Sequence, residues 1–180
     1  MIYIFLAEGF EEIEAFAPVD LLRRCELDVK TVGINSNIIR SSRGIPVISD
    51  LEANEIILDD NLQMIILPGG MPGTLNLEKS QKVHDAINFC VKNDIYIAAI
   101  CAAPSILGHK GLLDNKIATC FPGYESELKG ATLSEDIVCK DGKIITGKSA
   151  GVSIEFSLAL VETLISKERA KLLKDSLQCK

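Results

Sequence analysis

The chain reads as one doubly wound α/β domain, residues 1–180, with a mostly parallel sheet and an added β-hairpin. Three observations predict this class. Short apolar runs recur at Met1–Leu6, Gln63–Leu67 and Ile95–Ile100, the pattern of strands buried on both faces. Segments with helical spacing fall between them, which is the alternation of a parallel sheet. Late in the chain Asp141-Gly142 separates two β-like runs within Ile137–Ile145, a type I′ hairpin signal.

The elements follow in order. Met1–Leu6 is a strand, broken by Ala7-Glu8-Gly9. Ile13, Phe16, Ala17 and Leu21 then share one side of a helix whose last turn carries Arg23 and Arg24. Asp28–Val32 is a second strand. Ser41–Ser49 reads as irregular chain followed by a short strand, with Gly44 and Pro46 as breakers. Gln63–Leu67 is a strand stopped by Pro68-Gly69-Gly70. Val83, Ala86, Ile87, Cys90 and Val91 mark an amphipathic helix over Gln81–Asn93. Ile95–Ile100 is a central strand, and Ala102–Leu107 a helix with Pro104 in its tolerant first turn. Two helices close the chain, Gly151–Ile165 and Lys167–Leu177.

Composition narrows the function. The net charge of −6 and the lack of a basic stretch argue against nucleic acid. No apolar run approaches the roughly 20 residues that span a bilayer, and no signal-cleavage pattern follows the start. The expectation is a soluble cytoplasmic protein without a membrane partner. Six cysteines and two histidines show no C-x-x-C pair, which argues against a metal site, and a chain this long buries its core without staples. Five cysteines, Cys25, Cys90, Cys120, Cys139 and Cys179, keep the default reading of small packing residues.

Cys101 departs from that default. Ligands of open parallel sheets bind beyond the carboxyl ends of the strands. Three loops end strands there: Ala7–Glu14, Pro68–Thr74 and Cys101–Pro104. Together they assemble Glu14, the amides of Gly69 and Gly70, and Cys101 at a strand–turn–helix elbow. Helix N-terminal amides, Ala102 among them, stabilise an anion at such a point, so the thiol pKa is expected to fall. Pro18 removes the helical bond to the Glu14 carbonyl, which predicts an opened first turn that lets Glu14 project. A protonated Glu14 then donates to the thiolate, an acid–thiolate pair.

These residues carry a resemblance. Leu-Ala-Glu-Gly-Phe-Glu-Glu-Ile-Glu (6–14), Pro-Val-Asp (18–20), Leu-Pro-Gly-Gly (67–70) and Ala-Ile-Cys-Ala-Ala-Pro (99–104) resemble the ThiJ/PfpI superfamily. The match is closest to its Parkinson-disease protein deglycase branch and that branch's bacterial YajL-like relatives, and it runs from Ile2 to about Ile165. The resemblance implies a flavodoxin-like fold, similar to class I glutamine amidotransferases, and a homodimer working without cofactor or metal. It implies Cys101 as the reactive cysteine, Glu14 as its protonated partner, and Gly69, Gly70 and Ala102 around the oxyanion. Arg43, in Ser-Ser-Arg-Gly (41–44), falls where the family places an anion-binding arginine that reaches across the dimer, with Asp20 at an interface position beside it.

The departures are informative. Ala102 stands where the protease- and amidotransferase-like branches carry a histidine, Phe121 where the deglycase branch itself often carries one before a proline, and Lys148-Ser149-Ala150 replaces an arginine followed by Gly-Pro. Eight residues of helix place His109 about 12 Å from Cys101, and His84 falls on the polar side of its helix. Peptidase chemistry, which needs a Cys–His pair, is therefore disfavoured. Gly142–Ser149 satisfies the phosphate-loop pattern, but Ile144, Ile145 and Thr146 favour a strand, so nucleotide binding is rejected. Lys148 and Ser149 remain a candidate cation and amide near Cys101. Two functions fit: a glyoxalase or deglycase acting on glyoxal, methylglyoxal or their adducts, and a redox sensor or redox-regulated chaperone working through oxidation of Cys101.

Overall fold

Apolar runs with no polar alternation can be buried on both faces only at the centre of a sheet covered by helices, and these runs take that place. The computed structural model describes residues 1–179. Strands β1 (Ile2–Leu6), β2 (Val29–Gly33), β5 (Leu51–Glu52), β6 (Met64–Leu67), β7 (Tyr96–Ile100), β10 (Val138–Asp141) and β11 (Ile144–Gly147) form one seven-stranded sheet. Its order is β10-β11-β7-β6-β1-β2-β5, and every pair is parallel except β10–β11. The five principal parallel strands, taken in chain order, lie as 2-1-3-4-5, the flavodoxin-like doubly wound arrangement. The chain reverses its direction of winding between β1 and β6, so the loops after those strands diverge and leave room for a site.

Helices α1 (Glu12–Arg24), α2 (Gly73–Lys79), α3 (Gln81–Lys92), α4 (Pro104–His109), α5 (Ser153–Leu164) and α6 (Lys167–Ser176) cover the two faces. One core layer joins Tyr3, Phe5, Ile65 and Leu67 to Val83, Ile87 and Cys90 of α3. The other joins Ile4, Leu6, Ile66 and Ile100 to α1 and to Phe156 and Leu160 of α5. Alternate residues of one strand serve opposite layers because of the pleat, and each such side chain taken from water is worth roughly 1.5–3 kcal/mol.

Several local expectations change. α1 turns Glu14, Ala15, Pro18, Val19, Leu21 and Leu22 inward, while Ile13 is 57% exposed, so its buried face is rotated from the one read off the apolar residues. Val91 likewise lies outside on α3. α2 was not anticipated. Ser41–Ser49 belongs to a two-stranded antiparallel ribbon, β3 (Ile38–Arg40) with β4 (Pro46–Ile48), whose tip is the irregular part. The β10–β11 hairpin pairs Asp141 with Ile144, so its turn residues are Gly142 and Lys143. Only Gly142 has positive φ, +60°, which is the II′ pattern rather than I′. Short strands β8 (Ile117–Ala118) and β9 (Thr132–Leu133) pair beside it. No helix among the described residues is long and apolar enough to cross a membrane.

Candidate active site

Cys101 is the residue immediately after β7, and its φ of +65° is left-handed. A non-glycine residue there costs about 1–2 kcal/mol and persists only where the surroundings over-determine it. They do so here. The Cys101 N–H donates to the Gly147 carbonyl at 2.9 Å, and its own carbonyl accepts from the Phe121 N–H at 2.8 Å. The elbow is thus clamped between β11 and the chain after β8, with Cys101 half-buried at the end of β7. The backbone amides of Ala102 and Gly70 favour an anion at the sulfur.

Glu14 comes from the first turn of α1 and is fully buried. Its Oε2 accepts the Gly69 N–H at 2.8 Å, while Oε1 has no conventional partner among the described residues. The Cys101 side chain is the group beside it that can share a proton. Gly69 separates the two. A methyl there would meet Glu14 Oε2 at 2.7 Å and Cys101 Cβ at 2.9 Å, so only glycine allows the pair to approach.

Burial raises the Glu14 pKa to about 7, with the Glu11 charge adding to the rise and the Cys101 and Gly69 bonds opposing it. Burial, and then the Glu14 carboxylate, also push the Cys101 thiol above its ordinary value, against the two amides. The expected fall in thiol pKa is therefore corrected: α4 is six residues long and starts at Pro104, and the amides are outweighed by desolvation and a like charge. The two groups titrate as a pair. When the proton sits on Glu14 the repulsion vanishes, and a neutral carboxyl becomes a donor to the sulfur.

The structure brings together Cys101, Ala102, Glu14, Gly69 and Gly70. It divides the glycine amides, because Gly69's is already donated to Glu14, leaving Gly70 and Ala102 to face an anion at sulfur. Pro18 does not open α1, which runs unbroken from Glu12 to Arg24; Glu14 reaches the site because it lies on the buried face. Arg43 is exposed at the tip of the β3–β4 ribbon, with its amide on Glu12 Oε1 at 2.9 Å. Asp20 pairs with Arg24 on the same helix. Lys148 turns its ammonium to Glu135 at 3.1 Å, so it supplies no free cation to Cys101. His109 bridges Glu78 and Glu127, and His84, half-buried rather than fully solvated, bonds the Glu78 carbonyl at 2.6 Å.

Two contributors were missed by the sequence reading. The Phe121 amide matters where only its side chain was weighed, and no local signal announces a bond to Cys101 across the fold. Glu11 caps α1, its Oε2 accepting the Glu14 N–H at 2.8 Å. The acid–x–x–acid spacing of Glu11 and Glu14 at a helix start could have indicated that role. Burial holds Cys90 near pKa 12 and Cys120 near 11, in keeping with packing roles, whereas Cys179 is only half-buried. No group of three His, Cys, Asp or Glu among the described residues could hold a metal ion.

Known proteins share this arrangement of chain. Protein DJ-1 homolog B of Arabidopsis thaliana is 36% identical over 172 residues, 94% of this chain but 39% of the plant protein. The chain thus spans under half the length of that relative and of its Arabidopsis paralogue DJ-1 homolog A, at 39% and 44%. A Caenorhabditis elegans protein named glutathione-independent glyoxalase DJR-1.2 is 29% identical over 164 residues, covering 90% of this chain and 87% of its own. The solved structure of oxidized Toxoplasma gondii DJ-1 superposes with a TM-score of 0.90 at 32% identity, over 98% of this chain and 97% of that one. With residues 1–163 matching its family pattern and the fold superposing end to end, the chain belongs to the DJ-1/PfpI family.

Proposed function

We propose that the chain is a cofactor-independent glyoxalase that converts small 2-oxoaldehydes such as methylglyoxal to hydroxy acids through Cys101. The observation that carries the reading is the strained elbow, with the sulfur facing two amides and sharing a proton with a carboxyl of pKa about 7. A group with a pKa near the working pH both gives and takes a proton readily. The C. elegans relative's name supports the same class of reaction.

The steps balance on these residues. The Cys101 sulfur attacks the aldehyde carbon, an S–C bond forms, and the carbonyl electron pair moves to oxygen. The amides of Gly70 and Ala102 stabilise that oxygen, and Glu14 delivers its proton to it, giving a hemithioacetal. Glu14, now a carboxylate, removes the hydrogen from the former aldehyde carbon and returns it to the neighbouring carbon, while the hydroxyl proton passes from the former aldehyde oxygen to the neighbouring oxygen, leaving the thioester of a 2-hydroxy acid. Water cleaves the S–C bond, releasing lactate and the free thiol. Removal of glycation adducts from side chains would use the same sulfur and acid.

The test is lactate formation from methylglyoxal by the full chain and by Cys101→Ser and Glu14→Gln. Turnover in the parent with a loss of at least about 100-fold in each variant supports the reading. No turnover in the parent overturns it. One observation favours a second role: the oxidized Toxoplasma relative has this fold, and the Gly70 and Ala102 amides suit the oxygens of a sulfinate. Two equivalents of peroxide would oxidise the thiol to that sulfinate with release of two waters. Mass spectrometry after mild peroxide would then find oxidation concentrated at Cys101 over the other five cysteines. The family resemblance also supports a homodimer, with Arg43 of each subunit directed to the other's site; sedimentation of the chain at twice its 19.6 kDa mass is the expected result.

A further inference from the structure

Three hydrogen bonds join Glu11, Gly69 and Glu14 into a closed ring. The Glu11 N–H donates to the Gly69 carbonyl at 3.0 Å, the Gly69 N–H to Glu14 Oε2 at 2.8 Å, and the Glu14 N–H to Glu11 Oε2 at 2.8 Å. The ring ties the start of α1 to the loop after β6, 55 residues away. The two backbones are in close contact: a methyl on Gly70 would lie 2.5 Å from the Glu11 nitrogen. The ring thus holds the half-buried Glu11 carboxylate on the backbone amide of Glu14.

We propose that Glu11 is a positioning residue that fixes the Glu14 carboxyl and keeps its proton in place, and so acts through Glu14 on Cys101 without touching a reacting atom. A like charge fixed at the Glu14 amide disfavours ionisation of the more deeply buried Glu14 carboxyl. The groups acting on Glu14 are few. Glu11 comes from its own helix and Cys101 from the β7 elbow, while the β6 loop offers only the Gly69 amide. Glu12 is turned away, bound to Ser41, Ser42 and the Arg43 amide, and Glu155 in the first turn of α5 is exposed. Glu11 is thus the charge that can be changed alone. The proposal rests on Cys101 and Glu14 being the reactive pair but not on turnover.

The test is the pH dependence of Cys101 alkylation by iodoacetamide, followed by mass spectrometry of its own peptide because five other cysteines are present. In the parent chain the profile has an inflection near Glu14's pKa of about 7. Glu11→Gln keeps an oxygen to accept the Glu14 N–H and removes the charge. Its inflection moves acidward by more than about 0.5 pH unit, and alkylation above the inflection falls at least about threefold, because an ionised Glu14 leaves the proton on sulfur. Glu11→Ala shows the same displacement together with a lower melting temperature from the lost cap. An unmoved inflection in Glu11→Gln overturns the proposal, as does a displacement in Glu11→Ala alone, which would mark a cap and nothing more. Absence of any inflection in the parent instead sinks the pairing of Cys101 with Glu14, and the proposed function with it.

Discussion

Replacing Glu14 by glutamine should make the protein's stability less dependent on pH. Folding raises this carboxyl's pKa from 4.5 to about 7, chiefly by burial. The folded state therefore holds the proton more tightly than the unfolded chain does. The associated stability is fully present below about 4.5 and is lost as pH rises through about 7. At about 1.4 kcal/mol per pH unit of displacement, the loss between pH 4.5 and 8 is at most about 3 kcal/mol. Glutamine can still accept the Gly69 N–H but does not titrate. The assay is urea unfolding of both proteins at pH 4.5, 6, 7 and 8, read by far-ultraviolet circular dichroism since the chain has no tryptophan. With a slope of about 2 kcal/mol per molar, the parent's midpoint should fall relative to the variant's by up to about 1.5 M across that range. Parallel midpoints would refute the claim that Glu14 is buried with its proton and titrates near neutrality.

The remaining predictions use the same geometry. Gly69→Ala places a methyl 2.7 Å from Glu14 Oε2 and 3.0 Å from the Ile100 carbonyl, so it should lower stability by about 1–3 kcal/mol and remove more than about 90% of methylglyoxal turnover, checked by thermal melting and lactate assay. Cys101→Gly should be more stable than Cys101→Ala by about 1 kcal/mol, because glycine alone relaxes at φ +65°; equal unfolding midpoints would argue against strain at the elbow. Both ring nitrogens of His109 meet carboxylates, and bonds to Glu127 and then Glu78 raise its pKa. Its contribution is full below the unfolded value of about 6.5 and is lost as pH rises through the folded one. His109→Gln should thus cost up to about 1 kcal/mol at pH 5.5 and much less at pH 9, a difference that unfolding curves at the two pH values would register.

Much of the fold was written locally. A strand buried on both faces must be apolar throughout, so β1, β6 and β7 were visible as runs, and the periodicity of Val83, Ile87 and Cys90 marked α3 in the same way. Cys101 was placed at a strand-to-helix junction because the apolar run before it and Pro104 after it leave no other register. Weaker signals failed where contacts compete with pattern. Ile13 looked like core, yet packing of α1 against the sheet and α5 selected the face that carries Glu14 instead. The hairpin turn slipped by one residue because the β10–β11 register, not the Asp-Gly pair, decides which residues are unpaired.

The amino-acid order by itself determined the principal strands, most of the helices between them and the candidates Glu14 and Cys101, since periodicity and backbone preference act over a few neighbouring residues. Only the tertiary structure decided the direction of each pKa shift in that pair, the commitment of Gly69's amide to Glu14, and the bond between the Arg43 amide and Glu12. The reason is physical. Desolvation and through-space charge depend on which distant segments cover a group, and Gly69 lies 55 residues from the carboxyl whose proton it helps to place.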